Sequence, residues 1–189
     1  MLNSVVALFN AGAVAAAGDY ESIATITVGS GGAANVEFTS IPGTYAHLQI
    51  RCIARTDRAN SLGDALVITI NSDTGSNYSS HALYGTGSSV TVDVNTSASS
   101  ATFHRFSGTS QTASVFGAGV LDILDYKNTN KYKTFRSLAG WDSNGSGTVF
   151  FDSNLWMSTS AITSIKLAPS GGTTIQQYSH FALYGIKGA

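Results

Sequence analysis

From residue 20 onward the apolar residues of this chain recur every second position, and that period constrains the fold more than any other feature. The clearest case is YAHLQIRCIAR (45–55). There Ala46, Leu48, Ile50, Cys52 and Ala54 point one way, and His47, Gln49, Arg51 and Arg55 the other. Alternation of this kind marks a strand with one packed face. Similar blocks follow at 21–28, 35–41, 65–71, 89–94, 101–106, 119–126, 133–141, 147–152, 161–168 and 180–186. The spacers between them, among them GSGGAA, SIPGT, NSDTGSN, KNTNKY, DSNGSG and PSGG, are turn sequences. Glycine supplies positive φ there, and Asn, Asp and Ser make local side-chain turns. About eleven strands with no helical period after residue 18 predict an all-β fold, an antiparallel β-sandwich of jelly-roll type. NYSSHALYG (77–85) and QYSHFALYG (177–185) echo each other, which predicts related places in the two sheets.

Composition narrows the classes further. The 189 residues include 26 Ser, 20 Thr and 20 Gly, yet 43% are apolar, too many for a disordered chain. Ten basic and eleven acidic residues, scattered along the chain, give a net charge of −1 and no basic patch, so nucleic acid is not an expected partner. One cysteine, Cys52, excludes an internal disulfide.

Residues 1–18, MLNSVVALFNAGAVAAAG, carry no charge. No Lys or Arg precedes Arg51, which argues against a secretory leader, and Asn3, Ser4 and Asn10 interrupt what a membrane span would keep apolar. Leu2, Val5, Val6, Leu8 and Phe9 form a stripe at roughly helical spacing. The reading is a docking arm (1–19), with a short helix, ahead of a sandwich domain (20–189). The arm packs either on its own domain or on a neighbouring subunit.

Motifs for catalysis are sparse. His47, His81, His104 and His180 form no local metal-binding pair, and no G-x-S-x-G elbow occurs. Cys52 falls on the packed face of its strand, where a thiol is inert. Asp122 and Asp125 are three apart and so on opposite faces of a strand, which excludes a glycosidase pair. Asp122 is expected to pair with Arg136 or Lys133 across strands. DSNGSG (142–147) starts like a calcium loop, but Ser153 stands where an EF-hand needs Glu. Sequons at Asn77, Asn95 and Asn144 are no more than a Ser/Thr-rich chain contains by chance. No enzyme activity, cofactor or metal is expected. Among the aromatics Tyr84, Tyr126, Tyr132, Trp141, Trp156 and Tyr184, and in the loops 71–80 and 142–148, Tyr78 and Trp141 are candidate glycan contacts.

HLQIR (47–51), DILDYKNTNKYKT (122–134), STSAITSI (158–165) and FALYGIKG (181–188) carry a resemblance over residues 20–188. The chain resembles small virion structural proteins of tailed phages, of the cyanophage and marine-phage type, labelled head-decoration or tail-fibre-like. That resemblance implies a structural protein of the phage particle, made in the host cytoplasm, with other virion proteins as partners and no membrane association. It implies a capsid decoration or cement protein that bridges capsid subunits, or a tail fibre, collar or baseplate module binding host glycan. A homo-oligomer, with a trimer favoured, is the expected assembly. The motifs are not catalytic, so no active-site residue is implied.

Overall fold

The computed structural model describes residues 19–188. The arm residues Leu2, Val5, Val6, Leu8 and Phe9 therefore lie outside the described residues. Twelve strands are present: β1 (Tyr20–Thr27), β2 (Val36–Phe38), β3 (His47–Ala54), β4 (Gly63–Ile70), β5 (Tyr78–Gly85), β6 (Val90–Ala98), β7 (Ala101–Ser107), β8 (Gly117–Ile123), β9 (Lys133–Asp142), β10 (Gly147–Trp156), β11 (Ile165–Pro169) and β12 (His180–Ile186). They make an eight-stranded sheet, β1-β12-β3-β8-β9-β10-β5-β6, and a four-stranded sheet, β2-β11-β4-β7. All ladders are antiparallel. The expected sandwich is present. A jelly roll forms its two sheets from eight strands; here twelve strands divide eight and four, an antiparallel sandwich of two unequal sheets.

The core lies between the sheets. Leu48, Ile50 and Ala54 of β3, Leu66, Ile68 and Ile70 of β4, Phe103 and Phe106 of β7, Phe135 of β9, and Phe181 and Leu183 of β12 are fully buried. Burying a Leu, Ile or Phe side chain stabilises by about 1.5–3 kcal/mol each. The alternation of β3 is as its sequence predicts, except that Arg55, just past the strand, turns inward. Its guanidinium donates to the carbonyls of Gln111, Thr112 and Val115.

Three further expectations are corrected. β5 is a full strand, so Tyr78 to Ser80 belong to the sheet and not to a loop. The echoed segments, β5 and β12, share one sheet, each second from an edge. Their faces are opposed, with Leu183 buried and Leu83 49% exposed. Residues 161–164 are not strand. The Asn71 carboxamide holds them, its Oδ1 accepting from the N–H of Thr163 and Ser164 and its Nδ2 donating to the Ala161 carbonyl, so β11 starts at Ile165.

The unequal sheets leave a ledge. The small sheet ends at β7, which lies over β8, β9 and β10, while the large sheet continues to β5 and β6. Among the described residues β6 has no strand opposite, and Val90, Val92 and Val94 are 75%, 75% and 58% exposed.

Candidate functional site

Two surfaces stand out: the outer face of the large sheet, and a cleft beneath its ledge. On the outer face, register places Val120, Leu138, Phe151, Leu83 and Val92 in one row across β8, β9, β10, β5 and β6. The next row runs Ile53, Ala118, Gly140, Val149, Gly85 and Val90. Ile53, Leu138, Val149 and Phe151 are 46%, 54%, 59% and 47% exposed. At 4.8 Å per strand the second row is about 24 Å long. Contiguous exposed apolar surface of this kind marks an interaction site. The row on the other side is polar: Gln49, Asp122, Arg136, Ser153 and His81 stand opposite one another across five strands. Tyr20 and Tyr184 cluster beside it, ring centroids 4.9 Å apart, with the Arg51 guanidinium over both rings. An apolar centre with a polar border is the anatomy of a protein interface.

The cleft opens between the 86–88 turn, Leu62 and the 145–147 turn. It has a volume of about 320 Å³ and is walled by Tyr84, Arg105, Trp141, Thr148 and Phe150. A second groove of about 580 Å³ lies on the other side of the 145–147 turn and shares Thr86, Trp141 and Thr148. Tyr84 stacks on Phe150 at 4.3 Å, and His104 covers Phe150 from 4.8 Å. Arg105 is brought here by a bulge. Asp64 pairs with Phe106 and Leu66 with Phe103, so β7 carries one residue more than β4 between those pairs. The alternation shifts, Phe103 and Phe106 both enter the core, and Arg105 is redirected toward Phe150, 5.8 Å from the ring centroid. Bulges re-aim side chains in this way.

Trp141 forms the inner wall of this cleft but is only 7% exposed, so it presents an edge and not a stacking platform. Its Nε1–H has no acceptor within the described residues, and neither does the cross-strand Thr148 hydroxyl have a partner. An unsatisfied buried polar group costs about 1–3 kcal/mol. Tyr78 is not a glycan contact. It is fully buried, with its hydroxyl donating to the Asp73 carbonyl and accepting from the Ile70 N–H. Burial pushes the phenol up to about 12. The 71–77 turn is rigidly tied as well: the Asp73 carboxylate accepts from Trp156 Nε1 at 2.7 Å, from Asn77 and from the Gly75 N–H. Trp156 and Tyr126 are likewise buried.

A partly buried trio on β7, β9 and β10 resembles a catalytic triad only in composition. The His104 Nδ1 lies 2.8 Å from Asp152, but the Ser137 hydroxyl donates to Asp152 at 2.6 Å and not to His104. The Ser–His contact that activates a nucleophile is missing, and Ser137 is 2% exposed. Asp122 stands opposite Arg136 in register, yet its carboxylate accepts from Gln49 Nε2 at 2.6 Å. Lys133 is not its partner. Its ammonium is buried and donates to the carbonyls of Asn128, Lys131 and Thr159, and burial pushes its pKa down. The 142–147 turn is a hairpin closed by Ser143 N–H on the Ser146 carbonyl, with Asn144 N–H on the Asp142 carboxylate. Among the described residues no group of three or more His, Cys, Asp or Glu stands together to hold a metal. Cys52 is free and buried, and burial pushes its thiol far up.

The chain matches no family model, and no curated protein or solved structure is detectably similar to it.

Proposed function

We propose that this chain is a structural protein of a tailed-phage virion, a capsid decoration or cement protein that bridges capsid subunits. One observation carries the reading: the apolar outer face of the large sheet, framed by polar residues, on an otherwise weakly charged sandwich. Such a face binds by excluding water over area, and needs no reacting groups. Bridging capsomers by apolar burial opposes the pressure of packaged DNA. The uncharged segment 1–18 adds a second apolar attachment. Copies arrayed on a particle gain avidity, so each contact can be weak, and a trimer suits such an array. The sequence resemblance points the same way.

The cleft under the ledge favours a second reading, a tail fibre, collar or baseplate module that holds host-surface glycan. Copy number in purified particles separates the two. Hundreds of copies per particle support decoration, and a few dozen or fewer support a tail module. Absence from particles refutes both. For decoration, a chain lacking residues 1–18 is expected to fold but to bind particles more weakly. Unchanged binding by the truncated chain would remove the arm from the proposal.

A further inference from the structure

The cleft beneath the ledge contains a cation that the described residues leave without a carboxylate partner. Arg105 makes no salt bridge among the described residues; the carboxylate of Asp64 is taken by Arg58 and by the N–H groups of Ala65, Gly171 and Gly172. Among the described residues, the five N–H donors of this guanidinium make a single long bond, Nη2 to the Gly63 carbonyl at 3.4 Å. Arg58 adds positive potential nearby. Half-buried on Phe150, the guanidinium is held in place and partly dehydrated. A planar fork of this kind fits a carboxylate.

The rest of the lining is not that of a bare anion site. Tyr84 offers an amphipathic ring already fixed by stacking on Phe150. Hydroxyls of Thr86, Ser88 and Ser146 line the mouth, and Gly145 and Gly147 leave backbone accessible beside them. The N–H of Trp141 and the hydroxyl of Thr148, both more than nine-tenths buried, stand unpartnered in the wall. The volume of about 320 Å³ is at the small end of ligand clefts, the size of one or two sugar rings.

We propose that this cleft binds an acidic saccharide, with its carboxylate on Arg105 and its pyranose ring against Tyr84. Thr86, Ser88 and Ser146 meet the ring hydroxyls, with Trp141 as the wall behind them. The proposal deepens the glycan reading above and names the sugar class. It uses a surface separate from the apolar outer face.

The test is calorimetric and saturation-transfer titration of the full chain with oligogalacturonate and glucuronate, against maltotriose, glucose and inorganic phosphate. The acidic saccharides are expected to bind, to weaken with added salt, and to lose about tenfold in affinity in Arg105→Gln, the cost of one charge-assisted bond. Trp141→Phe, which keeps an aromatic ring and removes the N–H, is expected to weaken binding less. Should Arg105→Gln fail to fold, Tyr84→Ala and the salt dependence decide instead. Equal binding of neutral and acidic sugars overturns the acidic class while the glycan reading survives. Phosphate binding as tight as glucuronate reduces the site to an anion site and overturns the sugar. If no saccharide binds, both readings of the cleft fail.

Discussion

Asp57 and Asp64 grip one turn, PSGG, from the same side. Asp64, fully buried, accepts the N–H of Gly171 and Gly172, while Asp57 accepts the N–H of Thr173 and Thr174 and the Thr173 hydroxyl. A Cβ on Gly172 would clash with the Asp57 carboxylate, so the turn needs glycine there. Burial acts to raise the Asp57 pKa, but the Thr173 hydroxyl and the two N–H groups outweigh it and hold the group at about 2, against 3.8 in the unfolded chain. The folded state therefore favours the ionised form. This stabilisation is present in full above about pH 4 and is lost as pH falls through about 2. Thermal melts should show the wild type losing stability over that window more steeply than Asp57→Asn; parallel curves would refute the assignment. Asp73 has a comparable task, since Asp73→Ala leaves the buried Trp156 Nε1–H without an acceptor. A loss of about 2–3 kcal/mol is expected in urea unfolding, with tryptophan fluorescence as the probe. Neither carboxylate's role is legible in the sequence, because NSDTGSN and PSGG read as ordinary turns and their anchors lie 83 and 107–117 residues away.

At the scale of elements, the strands that face the core were the readable ones. β3, with Leu48, Ile50, Cys52 and Ala54 inward, is what its alternation predicts. Period two says which residues share a face, but not whether anything covers it. VTVDV looked half-buried by the same rule, and β6 is exposed on both sides because the small sheet stops at β7. The site residues were hidden for a related reason. Arg105 departs from its strand's alternation at a bulge whose other half lies in β4, some forty residues away. Trp141 was singled out from sequence and does line the cleft; Tyr78 was singled out and is core. Among the described residues β6 also ends the sheet with an unpaired edge, and Asp93 is the charge that interrupts its valines. Asp93→Val is expected to increase aggregation, measured by light scattering on heating, because an uncharged β-branched edge templates strand addition. On the outer face, Leu138→Asp with Phe151→Asp should leave the melting transition nearly unchanged and dissociate any assembly built on that face. Light scattering of the folded variant at the wild-type mass would refute the face as an interface.

For the whole molecule, the chain passes between the two sheets at most of its connections, so neither sheet is complete until the last strands are in place. β12, the final strand, is sealed between β1 and β3. Cys52, on β3 beside it, lies between Phe181 of β12 and Gly119 of β8 in register. Its thiol should therefore react with a disulfide reagent only when the whole sandwich opens. Labelling whose rate follows global unfolding across a urea series is the expected result, and rapid labelling of the native protein would refute it. The mismatch between eight strands and four has an evolutionary consequence. The 86–88 turn, between β5 and β6, hangs from the part of the sheet that extends past β7, so its length and residues can change without repacking the interior. The frame can thus stay constant while the rim of the cleft diversifies, in the way that a single tool handle accepts many bits.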